Sequence, residues 1–76
     1  MITKNIKLST IDDVKNFVNA TLNCPDDIYL ISGRYTVDAK SIMGIFSMDL
    51  SKEVEMQIET SKEPTEFLDA IKSYII

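Results

Sequence analysis

Histidine is absent from the sequence, and cysteine occurs once, at Cys24. Without an imidazole, histidine general-base chemistry is excluded. Because cysteine and histidine are the usual zinc ligands, a zinc site of ordinary composition is excluded as well. Cys24 has no second cysteine in this sequence with which to form a disulfide, which is typical of proteins from a reducing compartment. We therefore expect a cytoplasmic protein with no metal and no cofactor.

Long apolar runs are also missing. No run approaches the roughly 20 residues that cross a bilayer, and the polar residues within Met1–Leu8 predict that this stretch is not a signal peptide. Positive charge is scarce, since the formal net charge is −4 and the sequence pI is about 4.5. An acidic chain lacks the basic surface that binds nucleic acid unspecifically or adheres to an anionic membrane. We therefore expect protein partners, with no direct nucleic-acid contact and no membrane attachment.

Four short segments have the composition of β-strands, and they cover residues 2–8, 27–32, 34–39 and 53–59. In the last segment, apolar Val54, Met56 and Ile58 alternate with polar residues, which predicts one face on a core and one face in water. Ser32-Gly33 suits a hairpin turn between the second and third segments. Because a chain of this size supports only one small core, residues 1–76 are predicted to form a single domain.

The first predicted helix begins after Ser9 or Thr10, either of which can cap it. Asp12 and Asp13 follow, and we interpret them as partners of the helix dipole rather than as metal ligands or acid–base groups. The predicted core-facing stripe of this helix consists of Ile11, Val14, Phe17, Val18 and Leu22. The helix is expected to end before Pro25, which supplies no backbone N–H.

A short second helix is predicted from Ser41, and a third opens at Ser61–Pro64. The predicted buried stripe of the third helix consists of Phe67, Leu68, Ile71, Tyr74 and Ile75. The element order is therefore β-α-β-β-α-β-α. One antiparallel sheet with all helices on one face satisfies this order, which makes the domain α+β.

The segment Lys40–Ser47 is the candidate functional segment. Ser41 stands where an extended stretch gives way to an apolar run, so its hydroxyl can cap a helix or accept a phosphate beside Lys40. Ile42, Met43 and Phe46 follow at spacings that place them together on one helical face. They fit either a docking surface or the core, and docking is preferred for all three, whereas Ile45 is expected to be buried.

This segment resembles the regulatory-serine region of HPr, the small histidine-containing phosphocarrier of the bacterial sugar phosphotransferase system. The resemblance rests on Lys40-Ser41-Ile42-Met43-Gly44 and on the residues Met48, Leu50, Lys52 and Glu55. It implies an HPr-like open-faced β-sandwich with a four-stranded antiparallel sheet and three helices on one face. It also implies that an ATP-dependent HPr kinase/phosphorylase phosphorylates Ser41, and that Lys40, Ile42, Met43 and Phe46 dock partners.

The sequence departs from that family at the carrier site. HPr carries its phosphate on a histidine just before the first helix, and Thr10 falls at that position here, with Asp12 in place of an arginine. Thr10 is otherwise an ordinary cap. Further along, Asp49 and Glu53 replace glycines that are usual in the family. The chain is thus similar to the catabolite-repression HPr paralogues, which lack the carrier histidine and keep the regulatory serine.

The resemblance therefore implies a non-enzymatic regulatory or adaptor protein. Its implied partners are HPr kinase/phosphorylase, a catabolite-control regulator or proteins of the phosphotransferase system. Two alternatives remain open: an HPr-fold binding module that is never modified, and a group carrier of the acyl-carrier type. In acyl carriers the modified serine normally follows Asp, whereas Lys40 precedes Ser41 here, and an alternating strand at residues 53–59 does not fit an all-helical bundle.

Overall fold

The computed structural model describes residues 1–60 and 62–76. Its elements are β1 (Ile2–Ile6), α1 (Ile11–Leu22), β2 (Asp27–Ser32), β3 (Tyr35–Asp38), α2 (Ile42–Phe46), β4 (Val54–Glu59) and α3 (Thr65–Ala70), followed by a 3-10 turn at Lys72–Tyr74. This order is the predicted β-α-β-β-α-β-α. The α+β class and the antiparallel sheet are both confirmed, because every strand pair in the sheet is antiparallel.

The four strands lie in the order β1-β4-β2-β3, so β4 and β2 are central. Ile58 of β4 lies opposite Ile2 of β1 on one side and opposite Ile28 of β2 on the other. The predicted alternation of β4 is confirmed, since Val54, Met56 and Ile58 are at most 3% exposed. Their side chains form the floor of the core, on which the helices pack.

Helix α1 contributes Val14, Phe17 and Val18 to the core, and the Phe17 ring meets Phe67 of α3 edge to face at a centroid distance of 6.3 Å. The predicted stripe was wrong at its two ends, because Ile11 and Leu22 are 63% and 61% exposed. Both residues lie in the terminal turns of α1.

Thr21 takes the core position that the sequence prediction gave to Leu22. It completes the helical spacing set by residues 14, 17 and 18, and it is fully buried. Its hydroxyl donates to the carbonyl of Val18 at 2.7 Å and reaches the carbonyl of Ala39 at 3.3 Å. The polar group is therefore satisfied inside the core, as a buried hydroxyl must be.

The hairpin between β2 and β3 turns at Gly33-Arg34, one residue later than predicted. Gly33 has φ +59°, a left-handed conformation that glycine adopts without strain. On β3, Val37 is half-buried and Ala39 just beyond it is fully buried, whereas Tyr35 is 69% exposed. Tyr35 lies at the turn end of an edge strand.

The C-terminal part of the fold differs from the predicted single helix. Ser61 lies outside the described residues, and α3 begins at Thr65 after Pro64. The helix ends at Ala70. Of the predicted buried stripe, Phe67 and Ile71 are buried, whereas Leu68, Tyr74 and Ile75 are only half-buried. Ile75 instead forms a β-bridge with Ile6.

Backbone bonds on either side of that bridge attach the C-terminal segment to β1. The amide of Lys7 donates to the carbonyl of Tyr74 at 2.8 Å, and the amide of Ile76 donates to the carbonyl of Asn5 at 3.0 Å. The segment thereby covers part of one sheet edge. Within residues 1–60 and 62–76, no helix is both long enough and apolar enough to span a membrane.

Candidate functional site

Helix α2 begins at Ser41, which is its N-cap in an extended conformation. The amide of Gly44 donates to the Ser41 Oγ at 3.2 Å, and the amide of Ile45 donates to the Ser41 carbonyl at 3.1 Å. The side chain is exposed, and its hydroxyl proton is donated to none of the described residues. Ser41 is therefore both a cap and an accessible hydroxyl, as its position in the sequence predicts.

The position of α2 is fixed by Ile45 and Gly44. Ile45 is fully buried, so its predicted burial is confirmed. A Cβ added at Gly44 would lie 3.3 Å from the Ser41 Oγ and 3.4 Å from the Cβ of Val37, so glycine lets the helix approach β3 closely. The Ser47 hydroxyl closes the helix by donating to the Gly44 carbonyl at 2.6 Å.

The exposed side of α2 carries apolar side chains. Met43 is 76% exposed and Phe46 is 42% exposed, whereas Ile42 is half-buried and packs partly against the core. We call Ser41, Ile42, Met43 and Phe46 the helix patch. Lys40 lies beside it, with its backbone amide bonded to the Asp38 carboxylate at 2.8 Å. The proximity of these residues is a property of the fold, while docking at the patch stays a prediction.

At the start of α1, Thr10 rather than Ser9 is the N-cap. The Asp13 amide donates to the Thr10 Oγ1 at 3.0 Å, and the Asp13 carboxylate accepts from the amides of Ser9 and Thr10 at 3.0 and 3.3 Å. This is a reciprocal capping box. Asp13 therefore places a carboxylate against the backbone of Thr10, where it would repel a phosphate carried on the Thr10 hydroxyl. Asp12 is exposed in the first turn.

The loop after α2 contains contacts that the sequence did not predict. The Ser51 hydroxyl and amide both donate to the Asp49 carboxylate, and these bonds lower the pKa of Asp49 below its usual value. The Lys7 ammonium donates to the carbonyl of Leu50 at 2.9 Å. Asp49 thus organises its own loop, and Lys7 ties that loop to the end of β1. The Asp-x-Ser spacing is a local sequence signal for the contact between Asp49 and Ser51. The contact between Lys7 and Leu50 has no local sequence signal.

Cys24 lines a groove between the end of α1 and the start of α3. It is 5% exposed, and its Sγ lies 3.8 Å from a carboxylate oxygen of Asp26. Cys24 is therefore a buried free thiol. Among residues 1–60 and 62–76, no three acidic or cysteine side chains are grouped so that they could hold a metal ion.

The fold is similar to solved structures of HPr proteins. HPr-C-His from Thermoanaerobacter tengcongensis superposes with a TM-score of 0.78 at 24% identity, covering 96% of this chain and 89% of that one. A phosphocarrier protein HPr from Bacillus anthracis str. Ames gives a TM-score of 0.73 at 26% identity, covering 99% and 96%. A histidine-containing phosphocarrier protein of Mycoplasma gives a TM-score of 0.69 at 17% identity, covering 95% and 86%.

No curated protein sequence matches this chain. The family model described as "PTS HPr component phosphorylation site" matches residues 13–76, which include the whole helix patch and begin after Thr10. That match covers most of the chain, and the element order, the antiparallel sheet and the short helix at Ser41 agree with it. The chain therefore belongs to the HPr phosphocarrier family of the phosphotransferase system.

Proposed function

We propose that this chain is a regulatory or adaptor member of the HPr family that does not relay phosphate through a histidine. HPr proteins are phosphocarriers rather than enzymes, and they interact with other proteins of the phosphotransferase system. The observation that carries the proposal is an exposed serine hydroxyl at the start of α2, next to exposed Met43 and Phe46, in a chain without histidine.

The absence of histidine argues against phosphorelay. A phosphohistidine is a high-energy donor because imidazole is a good leaving group, whereas a phosphothreonine ester is not. At the first turn of α1, the Thr10 hydroxyl already accepts a hydrogen bond from the Asp13 amide, and the Asp13 carboxylate lies on the same turn. A phosphate placed on Thr10 would meet two nearby carboxylates, those of Asp12 and Asp13, with no cation supplied by the first turn.

Ser41 is suited to accept a phosphoryl group from ATP. In that reaction the Ser41 Oγ forms a bond to the γ-phosphorus, the bond to ADP breaks, and the hydroxyl proton passes to a base of the kinase. The product carries a charge of about −1.5 to −2 at the edge of the helix patch. Phosphorylation would then weaken docking of an apolar partner surface and favour a partner that presents arginine.

A binding module without modification is the second candidate, because the Ser41 Oγ already has a structural role as the cap of α2. In that case the helix patch would dock one set of partners permanently. The acyl-carrier alternative is contradicted by the four-stranded sheet, since acyl carriers are all-helical bundles.

Intact-mass spectrometry after incubation with ATP and the HPr serine kinase of the source organism tests the proposal. Addition of one phosphate to the wild type is expected, with none on Ser41→Ala. The matched control is Ser47→Ala, which changes an exposed serine at the other end of the same helix and should be phosphorylated like the wild type.

A parallel reaction with phosphoenolpyruvate and enzyme I should add no phosphate. Phosphorylation from phosphoenolpyruvate would contradict the argument from the missing histidine. If ATP and the kinase leave the wild type unmodified while partner binding persists in Ser41→Ala, the unmodified binding module is the correct interpretation.

A further inference from the structure

The side of the sheet that faces away from the helices is a second surface with its own chemistry. The strand register groups its side chains into rows across the sheet, such as Thr3, Gln57, Tyr29 and Asp38 in one row. We call this surface the open face. Its strand residues are Thr3, Asn5, Asp27, Tyr29, Ile31, Thr36, Asp38, Glu55, Gln57 and Glu59.

Charge is distributed unevenly between this surface and the rest of the molecule. The open face contains four carboxylates, those of Asp27, Asp38, Glu55 and Glu59, and its strand residues include no lysine or arginine. The whole chain has a formal net charge of −4, from 12 acidic and 8 basic residues. The remainder of the molecule is therefore balanced, and the excess negative charge is concentrated on the open face.

Like charges lie directly opposite each other on this face. Asp27 of β2 is the cross-strand partner of Glu59 of β4, an arrangement that destabilises a sheet. Asp27, Glu59 and Asp38, together with partial loss of solvent, raise the pKa of the Tyr29 phenol above its usual value, with Asp27 the largest cause. No strand residue of the open face supplies a cation to Asp27 and Glu59, so this pair is open to a positive charge from outside.

The centre of the face also carries uncharged side chains. Tyr29 and Ile31 are half-buried on the central strand β2, with Gln57 and Glu55 as their partners on β4. An aromatic ring and an aliphatic side chain beside carboxylates offer contacts to both parts of a long basic side chain. The methylene stem can pack on Ile31, and the charged group can lie over Tyr29 or against a carboxylate.

We propose that the open face docks a lysine- and arginine-rich surface of a protein partner. The carboxylates are spread along three strands, and no three of them converge among the described residues, so they fit an extended array of cations better than one metal ion. Nucleic acids and anionic membranes have the same sign of charge as this face and are repelled. A second copy of this chain would meet its own carboxylates and is disfavoured in the same way.

This inference is independent of phosphorylation at Ser41. The helix patch lies on the helical side of the sheet, and the open face lies on the other side. An adaptor with these two surfaces could hold one partner through α2 and a second, basic partner through β2 and β4. Failure of either docking site would leave the other intact.

Amide NMR titration with a peptide of about ten lysines, at an ionic strength of about 25 mM where screening is weak, tests the inference. The largest shift changes are expected at Tyr29, Ile31, Glu55 and Gln57. The triple variant Asp27→Asn, Glu55→Gln, Glu59→Gln should weaken binding about tenfold, which corresponds to modest losses at three exposed charge contacts.

The matched control neutralises the same number of carboxylates on the helical side, with Asp12→Asn, Glu63→Gln and Glu66→Gln. Both triple variants change the net charge equally, so only the position of the charge differs. The control should lose at most about twofold in affinity. Equal losses in the two variants, or shift changes centred on the helices, would overturn the inference.

Discussion

The two sides of the sheet use the same strands for opposite purposes. Along β4, the residues Val54, Met56 and Ile58 support the helices, while Glu55, Gln57 and Glu59 face outward. On the helical side, a short helix presents apolar Met43 and Phe46 beside a serine, so the docking proposed there would respond to a single added phosphate. On the open face, charge is permanent and spread over three strands. The first surface is suited to switching, and the second to continuous attraction.

The largest effect on stability is expected from placing a charged side chain on the buried side of β4. Met56→Lys places an ammonium at a position with no exposure and should remove most of the roughly 4–11 kcal/mol of stability that a domain of this size has. Its neighbour Gln57→Lys points outward and should stay within about 0.5 kcal/mol of the wild type. Urea denaturation followed by circular dichroism measures both, and similar losses would mean that the alternation has been misassigned.

A smaller loss of stability is expected within α2, where one residue anchors the helix and others are available for docking. Ile45→Ala removes a fully buried side chain and should lower the free energy of unfolding by about 2–4 kcal/mol. Met43→Ala, three-quarters exposed in the wild type, should change it by less than about 0.5 kcal/mol. The same denaturation experiment applies, and a large loss in Met43→Ala would show that the helix patch is structural.

Removing one carboxylate from each side should change stability in opposite directions. Asp27→Asn relieves repulsion with Glu59 and should raise the free energy of unfolding by a few tenths of a kcal/mol. Asp12→Asn removes a favourable charge from the first turn of α1 and should lower it by about 0.3–1 kcal/mol. Thermal unfolding at low salt resolves the two signs, and equal signs would contradict the strained arrangement of the open face.

The finest distinction is in the titration of Tyr29. The pKa of Tyr29 is raised in the folded state, so the folded protein binds the phenolic proton more tightly than the unfolded chain does. This contribution to stability is complete below the unfolded pKa of about 10, and it is lost as the pH rises through the folded pKa. In Asp27→Asn, the tyrosine absorbance change of Tyr29 should occur at lower pH than in the wild type. In Asp12→Asn, the titration of Tyr29 should be unchanged.

Local sequence patterns were enough to predict β4 and the start of α2. The alternation at residues 53–59 predicted both the buried and the outward side of β4, and the serine before an apolar run predicted the start of α2. Periodicity identifies the stripe of a helix but not which residues in its terminal turns are covered, which is why the prediction buried Ile11 and Leu22. Thr21 was missed because its hydroxyl, besides the local carbonyl of Val18, reaches the carbonyl of Ala39, which only the fold brings near.

The open face could be predicted only in part for a related reason. The outward glutamates of β4 follow from the sequence of that strand alone. That Asp27 lies opposite Glu59, and that Asp38 lies opposite Tyr29, depends on the strand register, which is a long-range property. The resemblance of Lys40–Gly44 to HPr predicted the family correctly, whereas the roles of Ser41 and of the helix patch are still predictions.

The bridge between Ile6 and Ile75 has a consequence for the order of folding. Its bonds, from Lys7 to Tyr74 and from Ile76 to Asn5, join residues separated by nearly the whole sequence. Closing so large a loop is entropically costly, so we expect these contacts to form after the hairpin of β2 and β3. The same bonds should be the first to open, and deuterium uptake at the Lys7 and Ile76 amides would then report fraying of the edge while β4 and β2 stay protected.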